Sequence, residues 1–152
     1  MRHSSKVLVI AVAIVASGVL PIRVLGAQDK AADSGRLAVS VRYTGKGEVD
    51  QDHRIWIWLF DTPDITPDSN PLAIGQLADN GGTYKYTGLP TEVYVAMAYD
   101  EKGGYDGTTG PPPQGTPVAI YGAAAGSGAA AVKTGGDEAK LETSFDDSVR
   151  MP

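Results

Sequence analysis

"RIWIWLF", Arg54 to Phe60, decides the architecture of this chain. Ile55, Ile57 and Leu59 alternate with Trp56, Trp58 and Phe60, so a strand drawn through them is apolar on both faces. Such a run fits a central strand covered on both sides, and its β-branched and aromatic content suits a strand better than a helix. Working outward, "RLAVSVRY" (Arg36 to Tyr43) alternates with Leu37, Val39, Val41 and Tyr43 on one face, the period of a half-buried strand. "EVYVAMAY" (Glu92 to Tyr99) repeats the pattern, with Val93, Val95, Met97 and Tyr99 opposite Tyr94, Ala96 and Ala98.

Between these strands, "LAIGQLA" and "TYKYTGL" flank "DNGG", Asp79 to Gly82. The Asn-Gly step supplies the positive φ angles of a tight turn and predicts a hairpin. "AAVKT", "GGDE" and "AKLETSF" predict a closing hairpin, with Leu141, Thr143 and Phe145 alternating against Lys140, Glu142 and Ser144. In "DTPDITPDSNP", Pro63, Pro67 and Pro71 rule out a regular helix or central strand. "YGAAAGSGAA", Tyr121 to Ala130, has little to pack and reads as a flexible connection. The sum is seven short strands without helical periodicity, which predicts an all-β, antiparallel, immunoglobulin-like or prealbumin-like sandwich.

The N-terminus carries a different signal. Arg2, His3 and Lys6 precede an uncharged run from Val7 to Leu20, the pattern of a secretory signal. Small residues at Gly26 and Ala27 predict cleavage there. An uncleaved anchor is the alternative, but Pro21 and Arg23 interrupt the run short of the roughly 20 residues a span needs. The expected organisation is a signal over 1–26, a flexible tether over 27–34, the sandwich over 35–147 and a tail over 148–152. The expected location is periplasmic or extracellular, with membrane contact only through the signal segment if it is kept.

Without a cysteine, the chain has neither disulfides nor a lipid-bearing N-terminal cysteine, so the exported domain must hold through its core. Loss of residues 1–26 removes Arg2, Lys6 and Arg23 but no acid, leaving 10 of the 13 basic residues against 18 acidic ones. That balance argues against nucleic acid and anionic lipid as partners.

Catalytic sets are sparse. His53, in "QDHRI", is the only histidine beyond the signal, and no Gly-x-Ser-x-Gly elbow accompanies it. A small hydrolase built on His53 and loop carboxylates is therefore the least favoured reading, and a solvated loop histidine the simpler one. Thiolate and cysteine-zinc chemistry are absent with cysteine itself, and one histidine does not make a transition-metal site. "GKGEVD" and "GSGAAAV" do not complete a phosphate-binding motif.

"YDEKGGYDGTTGPPPQGTP", Tyr99 to Pro117, is the one distinctive loop. As an EF-hand starting at Asp100 it fails at Lys102, Tyr105 and Pro111, where Asp or Asn, Gly and Glu are required. A calcium site of another kind would draw on Asp100 and Asp106 with loop carbonyls. Alternatively these residues only make turns, with Pro111 to Pro113 a stiff extended segment. A third reading is an interaction surface in which Tyr99, Tyr105 and Tyr121 bracket the prolines and contact a ligand. Trp56, Trp58 and Phe60 would make a carbohydrate platform if exposed, and core if not.

"GRLAVSVRYTGKGEVDQDHRIWIWLF" (35–60), "YVAMAYDEKGGYDGTTGPPPQGTP" (94–117) and "AAVKTGGDEAKLETSFDD" (130–147) resemble the transthyretin-like or carboxypeptidase-regulatory-like domains of exported bacterial proteins. The resemblance implies a prealbumin-like or immunoglobulin-like sandwich, usually with a binding or structural role. Apart from it, no cofactor is expected, with calcium as the alternative. One branch of that group hydrolyses 5-hydroxyisourate with histidines, an arginine and a C-terminal Tyr-Arg-Gly-Ser. This chain ends "SFDDSVRMP" and has a single histidine beyond the signal, so that activity does not carry over. The expectation is a non-enzymatic exported module whose partner is a protein or glycan of that compartment.

Overall fold

The computed structural model describes residues 35–123 and 128–152; the segments expected to be a signal and a tether, and the middle of the Ala- and Gly-rich connection, lie outside the described residues. Among the described residues there is no helix, and eight strands form two sheets. They are β1 (Gly35–Tyr43), β2 (Ile55–Phe60), β3 (Ala73–Leu77), β4 (Thr83–Leu89), β5 (Glu92–Tyr99), β6 (Val118–Ile120), β7 (Val132–Lys133) and β8 (Ala139–Phe145). One sheet runs β4-β1-β8; the other runs β3-β2-β5-β6, with β7 also pairing with β5.

The alternation read from sequence fixes which side chains face the other sheet. Leu37, Val39 and Val41 of β1, Ile55, Ile57 and Leu59 of β2, and Val93 and Val95 of β5 are all fully buried in one core between the sheets, joined by Leu141 and Phe145 of β8. Each fully buried aliphatic side chain contributes roughly 1.5–3 kcal/mol to this core. The second face of β2 is buried as well: Trp56, Trp58 and Phe60 form a separate cluster on the outside of the larger sheet, with Ala98.

Three expectations about pairing are corrected. The strand count is eight rather than seven, because Val118–Ile120 adds to β5. The smaller sheet is mixed rather than antiparallel, because β1 and β8 run parallel from Leu37↔Ala139 to Tyr43↔Phe145, while every pair in the larger sheet is antiparallel as expected. Neither expected hairpin forms. β3 pairs with β2 and β4 with β1, so "DNGG" carries the chain from one sheet to the other. There Asn80 acts as a strand substitute: its Oδ1 accepts from Tyr43 N and its Nδ2 donates to Tyr43 O, each at 2.8 Å. Gly81, at φ 81°, donates its N–H to Val41 O at 2.9 Å. The turn's polar groups are satisfied by β1, and that ladder outcompetes the local hairpin.

The second expected hairpin fails for a similar reason. β7 pairs with the start of β5, Val93↔Val132 and Glu92↔Lys133. Thr134 is fully buried between the sheets, donating its N–H to Thr91 O at 3.0 Å and accepting from Arg36 N at 3.2 Å. "GGDE" then crosses to the other sheet. The last residues are also tied down: Gly115 N donates to Met151 O, Met151 N to Thr116 O and Val118 N to Val149 O, at 2.9 to 3.0 Å. Residues 148–151 therefore brace the segment leading into β6.

Candidate functional site

The larger sheet's outer face holds a concavity. In β2 and β5, the large side chains Trp56 and Trp58 sit opposite Ala98 and Ala96, so a small residue beside each indole leaves a dent in the sheet surface. The loop over 61–71 rises on the β3 side and the loop over 100–117 on the β6 side. Between them lies a cleft of about 420 Å³, within the range typical of ligand sites. Its floor is Trp58, Phe60, Ile74, Ala96 and Val118, and prolines from both loops, including Pro67 and Pro112, form its walls. Asp68 is the one charged side chain among those lining it, and Met151 of the braced C-terminal segment lines it as well.

The long loop is held onto the indoles. Trp58 Nε1 donates to the carbonyl of buried Gly107 at 3.0 Å. Gly107 has φ 69°, and a Cβ there would lie on the Trp56 ring, so both conformation and space select glycine. Tyr105 meets Trp56 edge-on with centroids 5.8 Å apart and donates its hydroxyl to Gly110 O at 2.6 Å. Burial, with the nearby charges of Asp106 and then Asp100, pushes its phenol up to about 12. Trp56 Nε1 is buried without a hydrogen-bond partner. Trp56 and Trp58 are each only 7% exposed, so the aromatic face is covered rather than presented as a platform.

The three tyrosines expected to share a surface do not. Tyr105 lies under the loop on the outer face. Tyr99 points inward, as its place in the Val93, Val95, Met97 alternation requires; it is 2% exposed, stacks on Tyr43 at 4.1 Å and donates to Glu48 O at 2.9 Å. Tyr121 packs half-buried against the same inner core.

Asp100 and Asp106 do come together, on the wall of a smaller hollow of about 320 Å³ that Lys102 also lines. Asp100 is buried and accepts Tyr105 N at 2.9 Å. Asp106 Oδ1 accepts Thr108 N at 2.9 Å, Thr109 N at 3.0 Å and the Thr109 hydroxyl at 2.9 Å. The Thr108 amide foremost, then the Thr109 groups, hold the Asp106 carboxyl below its usual range. These are turn-capping roles. Among the described residues no three His, Cys, Asp or Glu side chains converge as a metal-holding group.

His53 is paired with Asp50 across 3.0 Å through Nδ1. The same Asp50 oxygen accepts the N–H groups of His53 and Asp52, each at 2.8 Å, and these backbone bonds are the main reason its carboxyl is held low. The pair thus shapes the loop before β2, and among the described residues no hydroxyl bonds to the histidine's Nε2.

The cleft residues Trp58, Phe60 and Ala96 were within reach of the alternation rule, because strand parity puts all three on the outward face. The two loops that turn this face into a cleft carry no periodic signal. Neither a family model, nor a curated protein, nor a solved structure matches this chain.

Proposed function

We propose that this protein is a non-enzymatic, exported binding module of prealbumin-like or immunoglobulin-like type, in which the cleft over Trp58 and Phe60 receives an apolar group from a partner protein. Export rests on the basic and apolar pattern of residues 1–26. Two sheets enclosing one core between them support a sandwich. The observation that carries binding is the cleft itself: an aromatic and aliphatic floor between two proline-walled loops, with one carboxylate and no cation among its lining side chains. Such a site favours neutral or cationic over anionic ligands. Covered indole faces speak for insertion of a compact apolar group rather than for a sugar ring laid flat.

The test uses the neutral fluorophore N-phenyl-1-naphthylamine with the native chain and with Ala96→Phe, which fills the floor without removing core. Enhanced emission with the native chain that is lost in the variant supports the reading. Equal emission from both, or none from either, overturns the cleft as the site.

A further inference from the structure

β8 ends the smaller sheet with one neighbour, β1. Thr44 N donates to Phe145 O at 2.8 Å, and with the parallel register Tyr43↔Phe145 this sets the polarity of the whole strand. Ala139, Leu141, Thr143 and Phe145 direct their N–H and C=O toward β1, while Lys140, Glu142 and Ser144 direct theirs to the open side. The long edge thus presents backbone donors and acceptors without a strand opposite them.

An antiparallel copy of β8 about a twofold axis can bond to this edge in only a few registers, because the outward-directed residues must oppose one another. An axis at Lys140 sets Lys140 against itself, and an axis at Glu142 sets Glu142 against itself. An axis at Leu141 sets Lys140 against Glu142 of the other copy and Glu142 against its Lys140, with Leu141 meeting Leu141 on the core side. Directly opposed unlike charges stabilise a strand pair and like charges oppose it. Lys140 and Glu142 are both exposed, and among the described residues neither is in an ion pair.

We infer that the β8 edge is a self-association surface, joining two copies of this chain through antiparallel β8 strands about an axis at Leu141, with reciprocal Lys140–Glu142 pairs selecting the register. The smaller sheets of the two copies then run on as one, β4-β1-β8 meeting its mate, and the cleft on the other sheet stays open in both. The interface is isologous, as a closed dimer requires.

Sedimentation velocity on the full chain as recovered from an exporting host tests this. The expected result is a dimer whose sedimentation coefficient falls to the monomer's in Lys140→Glu and in Glu142→Lys, and returns in the double swap Lys140→Glu, Glu142→Lys. Mixing the two single variants is expected to restore a dimer, since that combination again places unlike charges opposite each other across the β8 edge. Circular dichroism checks that each variant retains its strands. A native chain that stays monomeric up to hundreds of micromolar overturns the proposal. So does a dimer that ignores both single substitutions, which would have to form through another face.

Discussion

Trp58 donates its indole N–H to the buried carbonyl of Gly107, whereas the indole N–H of Trp56, one turn of the pleat away, has no acceptor. The two residues are equally covered, at 7% exposure, so replacing either by Phe removes similar apolar contact. Only Trp58→Phe strips the donor from a buried carbonyl, a loss of about 1–3 kcal/mol. Trp58→Phe is therefore expected to be the more destabilising by about that amount in urea unfolding, and to loosen the 100–117 loop toward proteolysis. Equal midpoints for the two variants would show that packing alone seats the loop.

Asn80 stands in for a strand by bonding both backbone groups of Tyr43 through its side-chain amide. Asn80→Ala leaves that N–H and C=O without partners at a partly buried corner, an expected cost of about 2 kcal/mol. Asn80→Asp keeps the acceptor but loses the donor and faces the Tyr43 carbonyl with a carboxylate, so it is expected to destabilise comparably. Guanidinium unfolding measures both. Faster hydrogen exchange at the Tyr43 amide in Asn80→Ala, with slow exchange kept in Asn80→Asp, would locate the loss at this corner.

The same corner shows what the sequence carries and what it does not. Period-two alternation placed Leu37, Val39 and Val41, or Val93, Val95 and Met97, on the core face because burial acts on each residue singly. Alternation has no sense of direction, so the parallel approach of β8 to β1 left no trace in it. "DNGG" encodes a tight reversal correctly but not the partner that its polar groups find, which is β1 rather than β3. Val118–Ile120 is too short, between Pro117 and Gly122, to display any period. At the site, the doubly apolar β2 required a cover on its outer face, while the cover is a Gly- and Pro-rich loop recognisable only once Gly107 is seen against Trp56. Parity puts Tyr99 on the inward face, whereas Tyr105 packs on the outer cluster, so the two lie on opposite sides of one sheet and form no common ligand surface.

Asp106 caps its own turn through Thr108 and Thr109, and Asp100 accepts the amide of Tyr105, with Lys102 lining the hollow between them. Calcium sites use six to eight oxygen ligands, usually including several carboxylates. Two carboxylates already engaged by amides, beside a lysine, offer a poor start. The thermal midpoint of the native chain is expected to be unchanged by millimolar calcium and by chelator, and no binding heat is expected on titration. Asp106→Ala is expected to lower the midpoint through its lost turn bonds, equally with and without calcium. A calcium-dependent rise in the native chain that disappears in Asp106→Ala would instead make this loop a metal site.

Asp147 fastens the end of the chain to β1. Its carboxylate accepts from the Tyr43 hydroxyl and, at 3.0 Å, from Lys46 N, with Arg150 at 3.8 Å; Arg150 also reaches Glu101 at 2.7 Å. The Tyr43 bond above all, then the Lys46 amide, holds the Asp147 carboxyl below its ordinary value. Because its folded value is depressed, this group's stabilisation is present in full above the unfolded value of about 4 and is lost as pH falls through the folded one. Tyr43 has the opposite sign: burial foremost, then Asp147, raises its phenol, so its contribution is present below about 10 and is lost as pH rises through the folded value. Asp147→Asn is therefore expected to melt lower than the native chain at neutral pH, with a shallower fall in midpoint on acidification, so that the two curves converge well below pH about 4. Parallel curves across that range would mean that the Tyr43–Asp147 contact does not couple the chain's end to its acid stability.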